Sequence, residues 1–143
     1  MIDVREFERW MRTAQANLRS AKGDLERGDY NWACFKAQQA AEMAVKALLY
    51  GIGRPAHGHS VSKLLQRIAE EGFDVPNEVM AAAKALDKCY IPTRYPNAWS
   101  EGSPHEYYTE GDGRKAIEDA KKILNWVREA WGLLKEEGKS GTQ

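Results

Sequence analysis

The chain reads as an all-α, up-and-down bundle of five helices, four of them substantial and one short, and three observations predict this. Apolar residues recur at three- and four-residue steps through five separate segments, which is the period of a helix. No segment alternates apolar and polar side chains over a strand's length. The prolines and most of the glycines fall between the periodic segments, where helices must stop.

Asp3 and Glu6 form a D-x-x-E capping box, after which Val4, Phe7, Met11, Ala14, Leu18, Ala21 and Leu25 carry one amphipathic stripe through Arg27. Gly28 suits the left-handed position past the helix end, and Asp29 is placed to cap a second helix from Tyr30 to about Tyr50, stopped by Gly51 and Gly53. So short a link makes the pair an antiparallel hairpin. The second helix carries Ala33, Ala37, Ala40, Ala41, Ala44 and Ala47, small residues on more than one face, so neighbours can approach it closely. It is expected to be the central helix.

A polar joint from Gly51 to His59 leads to Ser60, the N-cap of a short helix with Val61, Leu64, Leu65 and Ile68 on one side, ending near Gly72. Pro76 opens a fourth helix whose buried stripe is Val79, Ala83, Leu86 and Tyr90, before Pro92 and Pro96 forbid continuation. From Ile91 to Gly111 no period survives, a connection far longer than the usual ~4 to 6 residues. Asp112 is placed to cap the last helix, whose Ile117, Ala120, Leu124, Val127, Trp131 and Leu134 form a bundle seam. Residues 1–137 thus make one domain, and 138–143 a frayed tail.

The 143 residues are 43% hydrophobic and 29% charged, which supports a real core and argues against wholesale disorder. Lys plus Arg number 21 and Asp plus Glu number 21, so no net field draws nucleic acid from a distance and any phosphate binding is local. Cys34 and Cys89 each fall in a segment read as helical, which suggests two buried reduced thiols rather than a disulfide framework. Met1 to Trp10 holds no apolar signal region, and no apolar run approaches the ~18 residues of a membrane span. A cytoplasmic protein without a membrane association is expected.

Phosphate-binding Gly-rich loops, H-E-x-x-H, paired C-x-x-C and G-x-S-x-G are all missing from the sequence. His57 and His59 could supply two metal nitrogens, yet no third ligand stands at a familiar spacing; the plainer roles are anchoring the third helix or touching a ligand. In Tyr90-Ile91-Pro92-Thr93-Arg94-Tyr95-Pro96, prolines on both sides of Arg94 stiffen the backbone, and Tyr95 should be extended. Such an arginine can clamp phosphate while tyrosines stack on a base, or it can pair with a carboxylate and tie the loop down. Trp99, Tyr107 and Tyr108 cover the bundle end or meet a second subunit. Glu42 and Lys46 read as a solvated i, i+4 pair, and Gln38 and Gln39 as hydrogen-bonding groups at a close helix contact or a dimer seam.

In order along the chain, Trp10-x3-Ala14-x3-Leu18, Asp29-Tyr30-x3-Cys34-Phe35-x2-Gln38-Gln39-Ala40-Ala41-Glu42-x3-Lys46-Ala47-Leu48, His57-Gly58-His59-Ser60-x3-Leu64-Leu65 and Leu86-x3-Tyr90-x3-Arg94-Tyr95-Pro96 resemble the HEPN family over nearly the whole sequence. The resemblance implies a helical bundle that forms a homodimer, is often encoded beside a minimal nucleotidyltransferase in a toxin-antitoxin pair, and binds nucleotide or RNA. Contact with that ligand would fall to Arg94, Tyr95, Tyr90, His57, His59 and Lys46, with no cofactor. Many members are metal-independent ribonucleases with an R-x4-6-H motif, the arginine holding the scissile phosphate and the histidine serving in acid/base attack.

The chain departs from that motif. Arg94 meets its next histidine, His105, only after ten residues, while Arg54 and His59 match R-x4-H in the wrong joint, with Pro55 breaking the helix that the spacing requires. The expectation is therefore a binding protein working with a nucleotidyltransferase. The alternatives are an endoribonuclease toxin that joins Arg94 to His59 or His105, and a purely structural helical oligomerisation module.

Overall fold

A computed structural model describes residues 2–141, with side chains through residue 138. Five α-helices follow one another: α1 (Val4–Arg27), α2 (Tyr30–Gly51), α3 (Val61–Glu70), α4 (Asn77–Asp87) and α5 (Glu110–Gly141). Two short 3-10 turns, Pro96–Ala98 and Pro104–Glu106, interrupt the long connection before α5. There is no strand among the described residues. α5 continues through Gly141, past the point where a frayed tail is expected, and the last two residues of that tail lie outside the described ones.

α2 packs against all four other helices, as its alanines allow. Ala33, Ala37, Ala40, Ala41, Ala44 and Ala47 are fully buried, so α1, α3, α4 and α5 lean on its backbone from several sides. Gly51 is selected by packing, and it does not stop the helix early. A methyl group there would sit 2.6 Å from the Trp131 ring and 3.1 Å from Phe7. Those two rings stack at 4.1 Å, closing α1, α2 and α5 around the glycine.

The helix ends show where local chemistry chose its partners. Asp3 accepts the Glu6 backbone N–H at 3.1 Å, but Glu6 turns away from the reciprocal bond and accepts Trp10 Nε1 at 2.9 Å, so half of the expected capping box forms. Gly28 takes φ 83° and ends α1 as expected. Asp29 makes no capping bond to α2; its carboxylate lies 3.5 Å from Arg27 instead. Lys36 holds α2 to α1 through Asp24 Oδ2 and Ser20 Oγ, both at 2.9 Å.

Ser60 caps α3, accepting Lys63 N–H at 3.2 Å. The α3 start gains a stronger partner from α4, because Asp87 accepts the Val61 N–H at 2.6 Å, the Ser60 hydroxyl at 2.9 Å and the Ser62 hydroxyl at 2.5 Å. An anionic cap at a helix N-terminus satisfies orphan donors and meets the positive end of the dipole.

α4 ends at Asp87, earlier than expected. Val79, Ala83 and Leu86 are buried on it, while Cys89 and Tyr90 fall beyond the helix, where the chain turns. Asp112 is the third residue of α5, one turn inside its expected place. Thr109 Oγ1 accepts the Asp112 N–H at 3.2 Å and Asp112 returns the bond from Thr109 N–H at 2.9 Å, a capping box that starts the helix before Gly111. The seam from Ile117 to Trp131 is buried as read.

Two stability outcomes follow. Gly51→Ala forces a methyl into the Phe7–Trp131 stack and should cost about 1–3 kcal/mol, the range for overpacking, seen as a lower denaturant midpoint at unchanged helix content. Asp87→Ala leaves four donors at the α3 start, the Val61 and Ser62 N–H groups and the Ser60 and Ser62 hydroxyls, without their acceptor and should cost roughly 1–2 kcal/mol, measured as a drop in melting temperature. Asp87→Asn, which keeps one acceptor oxygen, should lose less.

Candidate functional site

On α2, Asn31, Phe35, Gln38, Glu42 and Lys46 follow one another at helical spacing and make a polar-aromatic stripe on a helix that carries six buried alanines. Its lower half is a buried network. Glu42 is 1% exposed, Gln38 0% and Lys46 8%, so the solvated Glu42–Lys46 pair expected from sequence is a buried one. Lys46 Nζ donates to Glu42 Oε2 at 2.9 Å. Gln38 Nε2 reaches Glu42 Oε1 at 3.2 Å and the His59 carbonyl at 2.8 Å, and Gln39 Nε2 donates to Gln38 Oε1 at 2.8 Å. The glutamines thus bond within the chain and support the carboxylate. A buried carboxylate is tolerated when paired and hydrogen-bonded in this way.

His59 connects the network to the surface. Its Nδ1 lies 3.3 Å from Glu42 Oε2, and its ring, on a side chain 58% exposed, stacks on Tyr90 at 4.7 Å. Ser60, fixed by Asp87, sets the backbone that delivers this ring. The joint before it is tied down by Arg54 to Glu71 at 2.7 Å, Tyr50 Oη to the Ala56 carbonyl at 3.1 Å, and Arg67 to the His57 carbonyl. Arg54 is therefore engaged with the end of α3, away from His59, and the R-x4-H match by counting carries no joint site.

The upper half of the stripe is a cationic and aromatic surface. Arg94 lies over the Phe35 ring at 4.0 Å, with Tyr90 at 4.8 Å and Tyr95 at 5.0 Å. Its Nε and Nη2 donate to the Tyr90 carbonyl at 3.0 and 2.6 Å, which holds the guanidinium flat against the turn. No carboxylate pairs with it among the described residues. Two of its five N–H groups are used, and the others are available to a ligand. Tyr95 is extended, as its place before Pro96 requires, and exposed. Trp32 stands edge-on to Phe35 and exposes 44% of its surface, continuing the row of rings.

Of the residues read from sequence, the fold gathers Arg94, Tyr90, Tyr95 and His59 on one surface, with Lys46 beneath it. His57 is exposed beside the joint and lends only its carbonyl. His105 is exposed on the second 3-10 turn and shares no hydrogen bond, ion pair or ring stack with Arg94. Trp99 stacks on Tyr107 at 4.2 Å and donates to the Pro92 carbonyl at 2.8 Å, covering the bundle end. Among the described residues, no three His, Cys, Asp or Glu side chains gather to hold a metal ion. Nor is any helix there long and apolar enough to cross a membrane. Sequence reading missed Trp32, Phe35, Gln38 and Glu42 as parts of the site; their 3- and 4-residue spacing on the alanine helix was the available signal.

A sequence model of the HEPN domain matches residues 7–130. The crystal structure of TT1696 from Thermus thermophilus superposes with a TM-score of 0.84 at 48% identity, covering 86% of this chain and 96% of that one. ST0689, an archaeal HEPN homologue, gives 0.74 at 42% identity, covering 87% and 96%. An HEPN domain protein from Thermotoga maritima gives 0.71 at 37% identity, covering 87% and 98%. The candidate toxin MJ1304 of Methanocaldococcus jannaschii is 24% identical across 92% of this chain and 95% of its own length. Human sacsin is 32% identical across 64% of this chain, which amounts to 2% of sacsin. With the family model spanning most of the helical bundle and three similar folds at 37 to 48% identity, this chain belongs to the HEPN domain family.

Proposed function

We infer that this chain is a toxin-type HEPN protein that binds nucleotide or RNA phosphate at Arg94 and acts as a homodimer with a minimal nucleotidyltransferase partner in the cytoplasm. One observation carries the binding reading. The Arg94 guanidinium is fixed over three aromatic rings, no carboxylate among the described residues pairs with it, and two of its five N–H groups are used. A planar fork of this kind suits phosphate oxygens, and the exposed Tyr95 and Trp32 rings beside it suit the faces of unstacked bases. Local charge supplies the attraction that a molecule of zero net charge lacks. The similarity to a candidate toxin supports the toxin part of the reading, and the dimer, the nucleotidyltransferase partner and the cytoplasmic setting are carried over from what the family resemblance implies.

A second reading, a metal-independent endoribonuclease, is favoured by one contact. His59 and Arg94 come from different segments, yet both touch the Tyr90 ring, so a titratable imidazole and a phosphate clamp share one surface. In that case His59 would exchange the proton of the ribose 2′-OH while Arg94 holds the scissile phosphate. His105 takes no part in this arrangement.

Arg94→Ala should weaken binding of a labelled single-stranded oligoribonucleotide by roughly 10- to 100-fold, the worth of a charge-assisted contact, and Arg94→Lys should recover only part of it. Fluorescence anisotropy reads both, and equal affinity for wild type and Arg94→Ala would remove the site. If the chain is a nuclease, RNA cleavage should persist in excess chelator and disappear in His59→Ala while RNA binding survives. Intact RNA under wild-type protein, freed of its partner, discards the second reading.

A further inference from the structure

Beside the Arg94 turn, Cys34 and Cys89 line one cleft of about 410 Å³. Trp99, Tyr107, Tyr108 and Pro92 form its apolar walls, and Lys88 stands at its edge. Cys34 is sealed within α2 at 1% exposed, whereas Cys89 lies just past the end of α4 and is half-buried. The sequence reading placed both thiols in helices; the early end of α4 instead sets Cys89 at the mouth of a turn. The Cys89 thiol lies 3.9 Å from the Ala85 carbonyl on one side of the cleft that Cys34 also lines. The neighbouring Cys34 lowers the Cys89 pKa below the ordinary thiol value, against opposing effects of burial and of Asp119, Asp112 and Asp87. Cys89 and burial raise that of Cys34. The half-buried Cys89 can meet a reagent in the cleft and the sealed Cys34 cannot, which is the inequality that an attacking and a resolving thiol require.

We propose that Cys34 and Cys89 are a peroxide-reactive pair, and that their disulfide fastens the Arg94 turn to α2. The Cys89 thiolate attacks one oxygen of a hydroperoxide. The S–O bond forms, the O–O bond breaks, and the departing hydroxide or alkoxide takes a proton, leaving Cys89 as a sulfenic acid. Cys34 sulfur then attacks the Cys89 sulfur, the S–O bond breaks, and its oxygen leaves as water with the proton that Cys34 gives up. Two thiols lose two electrons in total, and the peroxide is reduced to two molecules of water, or to one of water and one of alcohol. A dithiol reductant reverses the reaction by exchange.

The coupling to the turn runs through three hydrogen bonds. Thr93 Oγ1 donates to the Cys89 carbonyl at 2.8 Å, and Asn31, three residues before Cys34 on α2, donates through Nδ2 to the Thr93 carbonyl at 3.0 Å. The next carbonyl after Cys89, that of Tyr90, is the one that holds the Arg94 guanidinium. A bond between the two sulfurs therefore joins α2 covalently to the segment from which Arg94 hangs. Its formation does not depend on what Arg94 binds.

The test uses the full chain, reduced, then treated with stoichiometric hydrogen peroxide and digested without reductant. Mass spectrometry should find a Cys34–Cys89 crosslinked peptide, and dithiothreitol should abolish it. Trypsin cleavage after Arg94 should slow in the oxidised protein and return on reduction. Cys34→Ser should leave Cys89 as a sulfenic acid captured by dimedone, whereas Cys89→Ser should capture none. If a serine variant does not fold, an alkylation time course on the wild type decides instead: iodoacetamide should label Cys89 much faster than Cys34 at pH 7. Recovery of both thiols unmodified after peroxide, crosslinks only between chains, or faster labelling of Cys34 would overturn the pair. An unchanged trypsin pattern in crosslinked protein would overturn the link to Arg94.

Discussion

A carboxylate in the middle of the central helix is the constraint around which the molecule is arranged. Glu42 is removed from water, and an isolated ion there would be strongly disfavoured. Lys46 supplies the opposite charge from one turn further along, Gln38 and Gln39 supply amide hydrogens, and His59 brings a ring nitrogen from a different part of the chain. Three of these partners come with the helix itself. The fourth obliges the joint after α2 to fold back across it, so satisfaction of one buried ion sets the path of residues distant in sequence. The Gln38 bond to the His59 carbonyl reinforces the same path from the backbone side.

The alanines make this arrangement possible. With methyl groups on most faces, α2 lets four helices close around it, and the space left by small side chains is taken by the long ones of Gln38, Glu42 and Lys46. The polar stripe is then continuous from the interior to the surface, passing from ion pair to imidazole to the Tyr90 ring and on to the Arg94 guanidinium. Each member constrains the next, which gives a rigid support for a cation that projects from an irregular segment.

Much of this was legible in the residues. The five stripes, the cap at Ser60, the turn at Gly28 and the stiff setting of Arg94 all follow from local rules, because periodicity and backbone restriction act over a few residues. Tertiary competition decided the rest. Glu6 preferred the Trp10 indole to its capping partner, and Asp29 faces Arg27 in place of α2. Asp87 caps a helix that lies before it in the chain, and α4 stops there, so Tyr90 and Cys89 acquired roles that a helical assignment hides. Glu42 and Lys46 read as exposed because i, i+4 pairs usually are; their burial depends on the helices packed around α2, which no window around them contains. In the same way, the contact between His59 and Tyr90 spans two connections and could not be read from either.

Fastening at both margins gives the joint after α2 a further property. Asp87 immobilises its far end at Ser60, the Arg54–Glu71 pair and the Tyr50 hydroxyl hold its near part, and Gly53 and Gly58 turn the chain between with positive φ. Ala56 anchors the middle of the span in the core, and the exposed stretch beyond it is the pair His57 and Gly58 just before the imidazole. Lengthening it adds only a slowly growing closure entropy. Evolution can therefore insert or delete residues there and alter what surrounds the imidazole, while the imidazole itself stays in register with the ring it stacks upon.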